Sequence, residues 1–292
     1  MRSSVLPGLL AAVALLAACE DAPDPEPLPD HLPVSPGDRY VAMGDSYTAA
    51  AFAPYESETN GCLQSIGNYP HLLEKELGLE LTDVSCGGAK TESIHLKQQT
   101  TTLRERMDPQ IDALTEHTAL VTISIGANDE EIFPSLVVSC AQELTPKERD
   151  GAPCTDRDAG DGDDSFAARI DRMEERIIDV LAAITEEAPQ ARVVFVGYPQ
   201  FASDESCRQF PIAEGDTELA ERVNILLVEA QERAAAEAGV EFLDLYELTE
   251  GHHFCADDPW VAGMHPAGDA AQWHPYPKEQ QVAAEALAEL VA

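Results

Sequence analysis

Positive charge is what this 292-residue chain has least of: 18 lysines and arginines stand against 54 aspartates and glutamates, a formal net charge of −36. Repulsion of that size argues against nucleic acid or an anionic membrane surface as a partner, since both are met by a basic face. It fits a solvated acidic surface and carries no information about chemistry. Aromatic residues are also scarce, at 6 %, and that content favours neither an apolar acyl channel nor a shallow polar cleft. The cysteines form no Cys-x-x-Cys pair and stand at no zinc-finger spacing from a histidine, so a structural zinc site is the weaker reading. Gly-x-Ser-x-Gly is missing too, which argues against an α/β-hydrolase nucleophile elbow.

Long apolar runs are limited to the N-terminus. There Arg2 precedes an apolar stretch from Val5 to Ala18 that is too short to span a bilayer comfortably, the pattern of a signal peptide over residues 1–18. Leu16-Ala17-Ala18-Cys19 resembles the lipobox of bacterial prolipoproteins, which makes Cys19 the expected lipidated residue of the mature chain. Residues 19–37 are rich in proline and acid, with nothing apolar to pack, and read as an extended tether. Residues 38–292 fit one large α/β domain. Setting Cys19 aside, Cys62, Cys86, Cys140, Cys154, Cys207 and Cys255 point to a disulfide framework in an exported protein. Sequence alone allows fifteen pairings, of which nearest-neighbour pairing is the working guess.

Apolar and β-branched runs at Arg39–Met43, Leu81–Ser85, Ala119–Ile125, Arg192–Gly197 and Val240–Leu245 lack the alternation of a half-exposed strand and read as buried parallel strands. Helical patterns lie between them at Tyr69–Leu77, Ala167–Ala188 and Glu218–Ala238, and a last one at Lys278–Val291 closes the chain. In Ala167–Ala188 one stripe carries Ile170, Met173, Ile177, Leu181 and Ile184. Alternation of this kind implies a mostly parallel sheet covered on both faces, with ligands at the carboxyl ends of the strands. Residues 141–165 have no apolar period and are expected to form an exposed acidic loop stapled by Cys140 and Cys154. Their aspartates fail the EF-hand spacing, with Ala167 where a bidentate glutamate would stand.

Chemistry gathers at the strand ends. Gly44-Asp45-Ser46-Tyr47-Thr48 delivers a serine hydroxyl where the first strand stops, although Ser46 could equally be a helix N-cap. Asn128 in Gly126-Ala127-Asn128-Asp129 follows the third strand and can donate to a developing oxyanion. Cys86-Gly87-Gly88-Ala89 follows the second, and glycine lets a backbone N–H approach a reacting group with no Cβ in the way. The candidate oxyanion donors are thus the Ser46 N–H, the Gly88 N–H and the Asn128 amide. His274, in Trp273-His274-Pro275 ahead of the last helix, is the candidate base, preferred to His265 of the duplicate His265-Pro266 because a helix mounts it.

Taken together, GDSY, the glycine block, GAND and the HP before the last helix resemble the four blocks of the SGNH (GDSL-type) hydrolases in order and spacing, and are particularly similar to those of secreted actinobacterial lipases and esterases. The resemblance implies an α/β/α sandwich with a mostly parallel central sheet, flavodoxin-like in layout, with Ser46 as nucleophile and His274 as base. It also implies the pairs Cys62–Cys86, Cys140–Cys154 and Cys207–Cys255. One departure stands out: many members carry an aspartate three residues before the histidine, and here that residue is Ala271. The expected partner of His274 is therefore the Ala271 carbonyl, with Asp269 as the alternative.

The activity implied is serine carboxylic ester hydrolysis on a small-molecule or lipid ester, with no metal or organic cofactor. The protein is expected to act as a monomer, either secreted or held on the outer face of the membrane by its lipid anchor. Two alternatives share these residues: an O-acetyl esterase of cell-wall or plant polysaccharide, and a noncatalytic ligand-binding lipoprotein.

Overall fold

The computed structural model describes residues 33–53, 60–141 and 145–292. The expected signal peptide, Cys19 and most of the expected tether lie outside the described residues. Five parallel strands form the main sheet among them: β1 (Arg39–Gly44), β2 (Glu80–Asp83), β3 (Thr118–Ser124), β4 (Arg192–Val196) and β5 (Glu241–Leu243). Their order is β2-β1-β3-β4-β5, all parallel. The helices that pack on them are α2 (Tyr69–Leu77), α3 (Phe166–Glu187), α4 (Thr217–Ala238) and α5 (Pro277–Val291). A short α1 (Ser46–Ala49) follows β1 directly.

The central strands are apolar on both faces because both faces are covered. Val41 and Met43 of β1, Val121 and Ile123 of β3, and Val193 and Phe195 of β4 pack with Ile170, Met173, Ile177 and Leu181 of α3 and with Leu227 of α4. The alternate residues Tyr40, Ala42, Leu120, Val194 and Val196 turn to the opposite side, against Leu73 of α2 and Leu287 of α5. Strand periodicity thus divides one sheet between two cores, and the result is the expected three-layer α/β/α arrangement. The edge strands differ from the central ones. β2 alternates exposed and half-buried positions, and β5 is half-buried throughout. Each is shorter than its apolar run, since beyond the paired residues no second neighbour holds the chain extended.

The three disulfides join Cys62 to Cys86, Cys140 to Cys154 and Cys207 to Cys255. The acidic segment corrects the expectation of a plain loop, because it contains helices at Pro146–Arg149 and Pro153–Asp161. The cause is local. Thr145 and Glu148 form a reciprocal capping box, and each helix starts on a proline whose missing N–H costs nothing at that position. Asp216 accepts from the free first-turn amides of Cys154 and Thr155, at 3.1 and 2.7 Å. Polar capping here replaces the apolar stripe on which a helix reading from periodicity depends.

Candidate active site

Because β1 lies between β2 and β3, the loops leaving all three carboxyl ends emerge side by side, with the nucleophile candidate in the middle. β1 and β3 pair as far as Gly44 and Ser124, and the Asp45 N–H donates to the Ser124 carbonyl at 3.1 Å. Gly44 turns the chain with φ of 140°. A Cβ there would collide with the Ser124 carbonyl and the Thr48 hydroxyl, so the position requires glycine. α1 starts at once, with the Asp45 carboxylate capping it through the Tyr47 N–H at 2.9 Å. Asp45 is therefore the N-cap, and Ser46 opens the first turn. On the β2 side the Cys86 N–H reaches the Gly44 carbonyl at 3.0 Å and the Gly87 N–H reaches the Cys62 carbonyl at 2.8 Å. That leaves Gly88 at φ of 76° with open space where a Cβ would stand. The Ser46 and Gly88 N–H groups have no hydrogen-bond partner among the described residues.

Asn128 comes from the β3 side. Its Nδ2 donates to the Ala89 carbonyl at 3.0 Å and lies 3.5 Å from Asp45 Oδ2, the outer limit of a bond. This links the Asn128 amide to the glycine block. Two further ties lock the turns together: buried Asp129 accepts from the Thr91 N–H and hydroxyl, at 3.0 and 2.5 Å, and Lys90 pairs with Glu131. Glu130 and Glu131 both adopt positive φ, and Arg172 and Arg176 of α3 hold the Glu130 carboxylate. These guanidinium groups keep Glu130 below the usual carboxylate range.

His274 lies on the long irregular stretch ahead of α5. Tyr47, next to Ser46, donates its hydroxyl to the Trp273 carbonyl at 3.0 Å, and its ring lies 5.8 Å from the imidazole. Gln280 of α5 donates to the Tyr47 carbonyl and accepts from the Tyr69 N–H. The Ala271 N–H reaches Ala51 just beyond α1. The segments carrying Ser46 and His274 are thus joined at several points. His265 is not brought in, since its backbone is tied to the Gln209 side chain in another loop.

The partner of the imidazole corrects the sequence expectation. His274 Nδ1 lies 2.6 Å from the carbonyl of Gln272, not that of Ala271, and Asp269 is exposed with no bond to the ring. The reason is the turn itself: the Ala271 carbonyl is taken by the His274 N–H at 3.2 Å, and Trp273 at φ of 66° aims the next carbonyl at the ring. A carbonyl can only accept, so Nδ1 carries the proton and Nε2 keeps its lone pair. Burial lowers the pKa of His274, and the Gln272 carbonyl opposes that shift.

Sequence reasoning did not single out Tyr47, Gln272, Gln280, Tyr198 or the two motif aspartates, Asp45 and Asp129. The aspartates had a signal, since each adjoins a motif residue. Asp45 is buried beside Tyr198, and burial pushes its carboxyl up to about 7 against the pull of the Tyr198 hydroxyl and the Tyr47 N–H.

Residues 42–278 match the model of the GDSL-like lipase/acylhydrolase family. The chain belongs to that family. "Lipase 2" of Streptomyces coelicolor is 35 % identical over 222 residues, covering 74 % of this chain and 72 % of that protein. An esterase of Streptomyces scabiei is 28 % identical over 96 % of this chain and 92 % of its own length. Among solved structures, phospholipase A1 from Streptomyces albidoflavus shares the fold with a TM-score of 0.72 at 24 % identity, covering 88 % of this chain and all of that one. This member of the GDSL-like lipase/acylhydrolase family is an acyl-hydrolysing enzyme, and its three disulfides mark it as exported to an oxidising compartment.

Proposed function

We propose that the protein is a serine carboxylic ester hydrolase acting through an acyl-enzyme on Ser46. The observation that carries this reading is the convergence of three strand ends on Ser46, with two unpartnered backbone N–H groups beside it and an imidazole held next to Tyr47. Ser46 Oγ attacks the ester carbonyl while His274 Nε2 takes its proton. The oxyanion is received by the Ser46 and Gly88 N–H groups and the Asn128 amide, donors already fixed before charge develops. Imidazolium then protonates the leaving alcohol, and water repeats the cycle on the acyl-serine.

The role of Gln272 is to hold the tautomer that leaves Nε2 basic. It does so without a carboxylate, so it contributes less charge stabilisation to the imidazolium than an aspartate would. Burial of His274 suits a base, because a lowered pKa keeps the imidazole neutral further into acid. On the same reading Cys19 carries the lipid, residues 19–37 tether a monomeric domain outside the membrane, and the substrate is a small-molecule or lipid ester.

The test is hydrolysis of p-nitrophenyl esters from acetate to palmitate by the mature protein and by Ser46→Ala. Loss of all turnover in the variant supports the serine mechanism, and the chain-length profile places the enzyme between esterase and lipase. Equal activity in both proteins would falsify it.

A further inference from the structure

Tyr198 is a fully buried phenol at the carboxyl end of β4, and the proposed reaction gives it no task. Its hydroxyl makes two bonds to two different strand ends. It donates to Asp45 Oδ2 at 2.5 Å and accepts from the Ala127 N–H at 3.1 Å. Asp45 is the residue before Ser46, and Ala127 is the residue before Asn128. One oxygen atom therefore bridges the nucleophile turn and the amide turn. Tyr198 is itself held: its backbone N–H meets Gln231 Oε1 at 3.2 Å, Gln231 Nε2 reaches the Ile125 carbonyl at 3.1 Å, and its ring packs edge-on against Tyr47 at 5.2 Å.

The geometry at Asp45 shows what the bridge achieves. Two donors stand near Oδ2, the Tyr198 hydroxyl oxygen at 2.5 Å and Asn128 Nδ2 at 3.5 Å. A buried carboxylate oxygen takes the best donor available, and an amide drawn fully onto it no longer points at a substrate oxygen. We infer that Tyr198 is a positioning residue for the oxyanion hole: its hydroxyl satisfies Asp45, anchors the Ala127 N–H, and so keeps an N–H of Asn128 available to the tetrahedral intermediate. Without that hydroxyl, Asn128 is the remaining side-chain donor at Oδ2 and swings onto it. The inference rests on the serine reading and concerns only how its hole is kept open.

The experiment is Tyr198→Phe, which keeps the ring and removes the oxygen, assayed for kcat and KM on the best p-nitrophenyl ester and for inhibition by an alkylboronic acid. A boronic acid becomes a tetrahedral anion on the serine and so reports the hole directly. The expected result is a kcat lower by about ten- to hundredfold, the cost of a small misplacement, with KM nearly unchanged and boronate affinity lowered by the same factor as kcat. Combination with Asn128→Ala sharpens the test. If Tyr198 acts through Asn128, the double variant is little worse than Asn128→Ala alone, whereas a separate structural role makes the losses multiply.

Unchanged kcat, or multiplying losses, overturns the inference. If Tyr198→Phe fails to fold, Tyr198→Met replaces it, since a flexible thioether fills the site and also removes the hydroxyl that satisfies Asp45 Oδ2. The same selective loss of kcat is expected, and a normal kcat overturns the inference. Wild type and Ser46→Ala are run alongside. Hydrolysis surviving in Ser46→Ala defeats the serine reading itself, while an inert Ser46→Ala with a fully active Tyr198→Phe defeats only the role of Tyr198.

Discussion

The two halves of the site are held by different physics. On the oxyanion side, side chains do the holding: Asp129 on Thr91, Lys90 on Glu131, and Glu130 between Arg172 and Arg176. On the histidine side the ties are mostly backbone and aromatic. The Val261 and Pro275 segments bridge, the Ala262 N–H meets the His274 carbonyl at 2.8 Å, and Trp273 packs edge-on against Phe210 and Phe254. The proposed oxyanion donors are thus flanked by a dense polar lattice. The proposed base, His274, sits on a loop held by these main-chain ties together with one buried indole.

The largest effect that would break this contrast is Trp273→Ala. The indole is 7 % exposed, and truncating a buried aromatic of this size costs about 3–5 kcal/mol. Thermal or urea denaturation should show that loss, and turnover should fall with it because the indole packs the loop that carries His274 against Phe210 and Phe254. Next comes Asp129→Ala, which leaves two Thr91 donors without their acceptor. It should cost roughly 2–3 kcal/mol and lower kcat more than it raises KM. Should Asp129→Ala prove harmless while Trp273→Ala is severe, the polar lattice is decoration and the contrast fails.

A third effect is read in pH. Glu279 of α5 is buried with Gln280 as its hydrogen-bond partner, and burial pushes its carboxyl from 4.5 up to about 8. A raised folded-state pKa means that the native protein binds the extra proton. This contribution is full below pH 4.5 and is lost as pH rises to about 8. Glu279→Gln removes that titration, so its melting temperature should decline less over this range than the wild type does. Parallel curves would show that Glu279 is ionised in the native state. The smallest effect is Asp269→Asn, expected to leave kcat within about twofold because an exposed side chain away from the ring has little to contribute. A large loss there would restore a carboxylate to the catalytic arrangement and undo the correction at Gln272.

How much of this was legible in the sequence follows from how local each cause is. β1, β3 and β4 could be read because strands covered on both faces are largely apolar, Ser46 and Asn128 because each follows such a strand, and Gly88 because its glycine block follows the edge strand β2. The ends of β2 and β5 could not be placed, since pairing at a sheet edge, and not composition, decides where they stop. In the 141–165 segment a capping box and two prolines carried the signal that apolar periodicity lacked. Tyr198 and Gln280 act across separations of 153 and 233 residues, and nothing in their own neighbourhoods foretells such partners. Gln272 was missed by one residue, because the left-handed turn at Trp273 decides which carbonyl meets the ring.

That last contact has a consequence for how the protein can vary. A hydrogen-bond acceptor built from main chain is written in no particular codon, so position 272 can drift through almost any amino acid while the imidazole keeps its partner. The constraint moves to the neighbour, where an indole must occupy a backbone conformation that side chains seldom adopt. A search for a third catalytic side chain beside His274 would meet only a main-chain oxygen there.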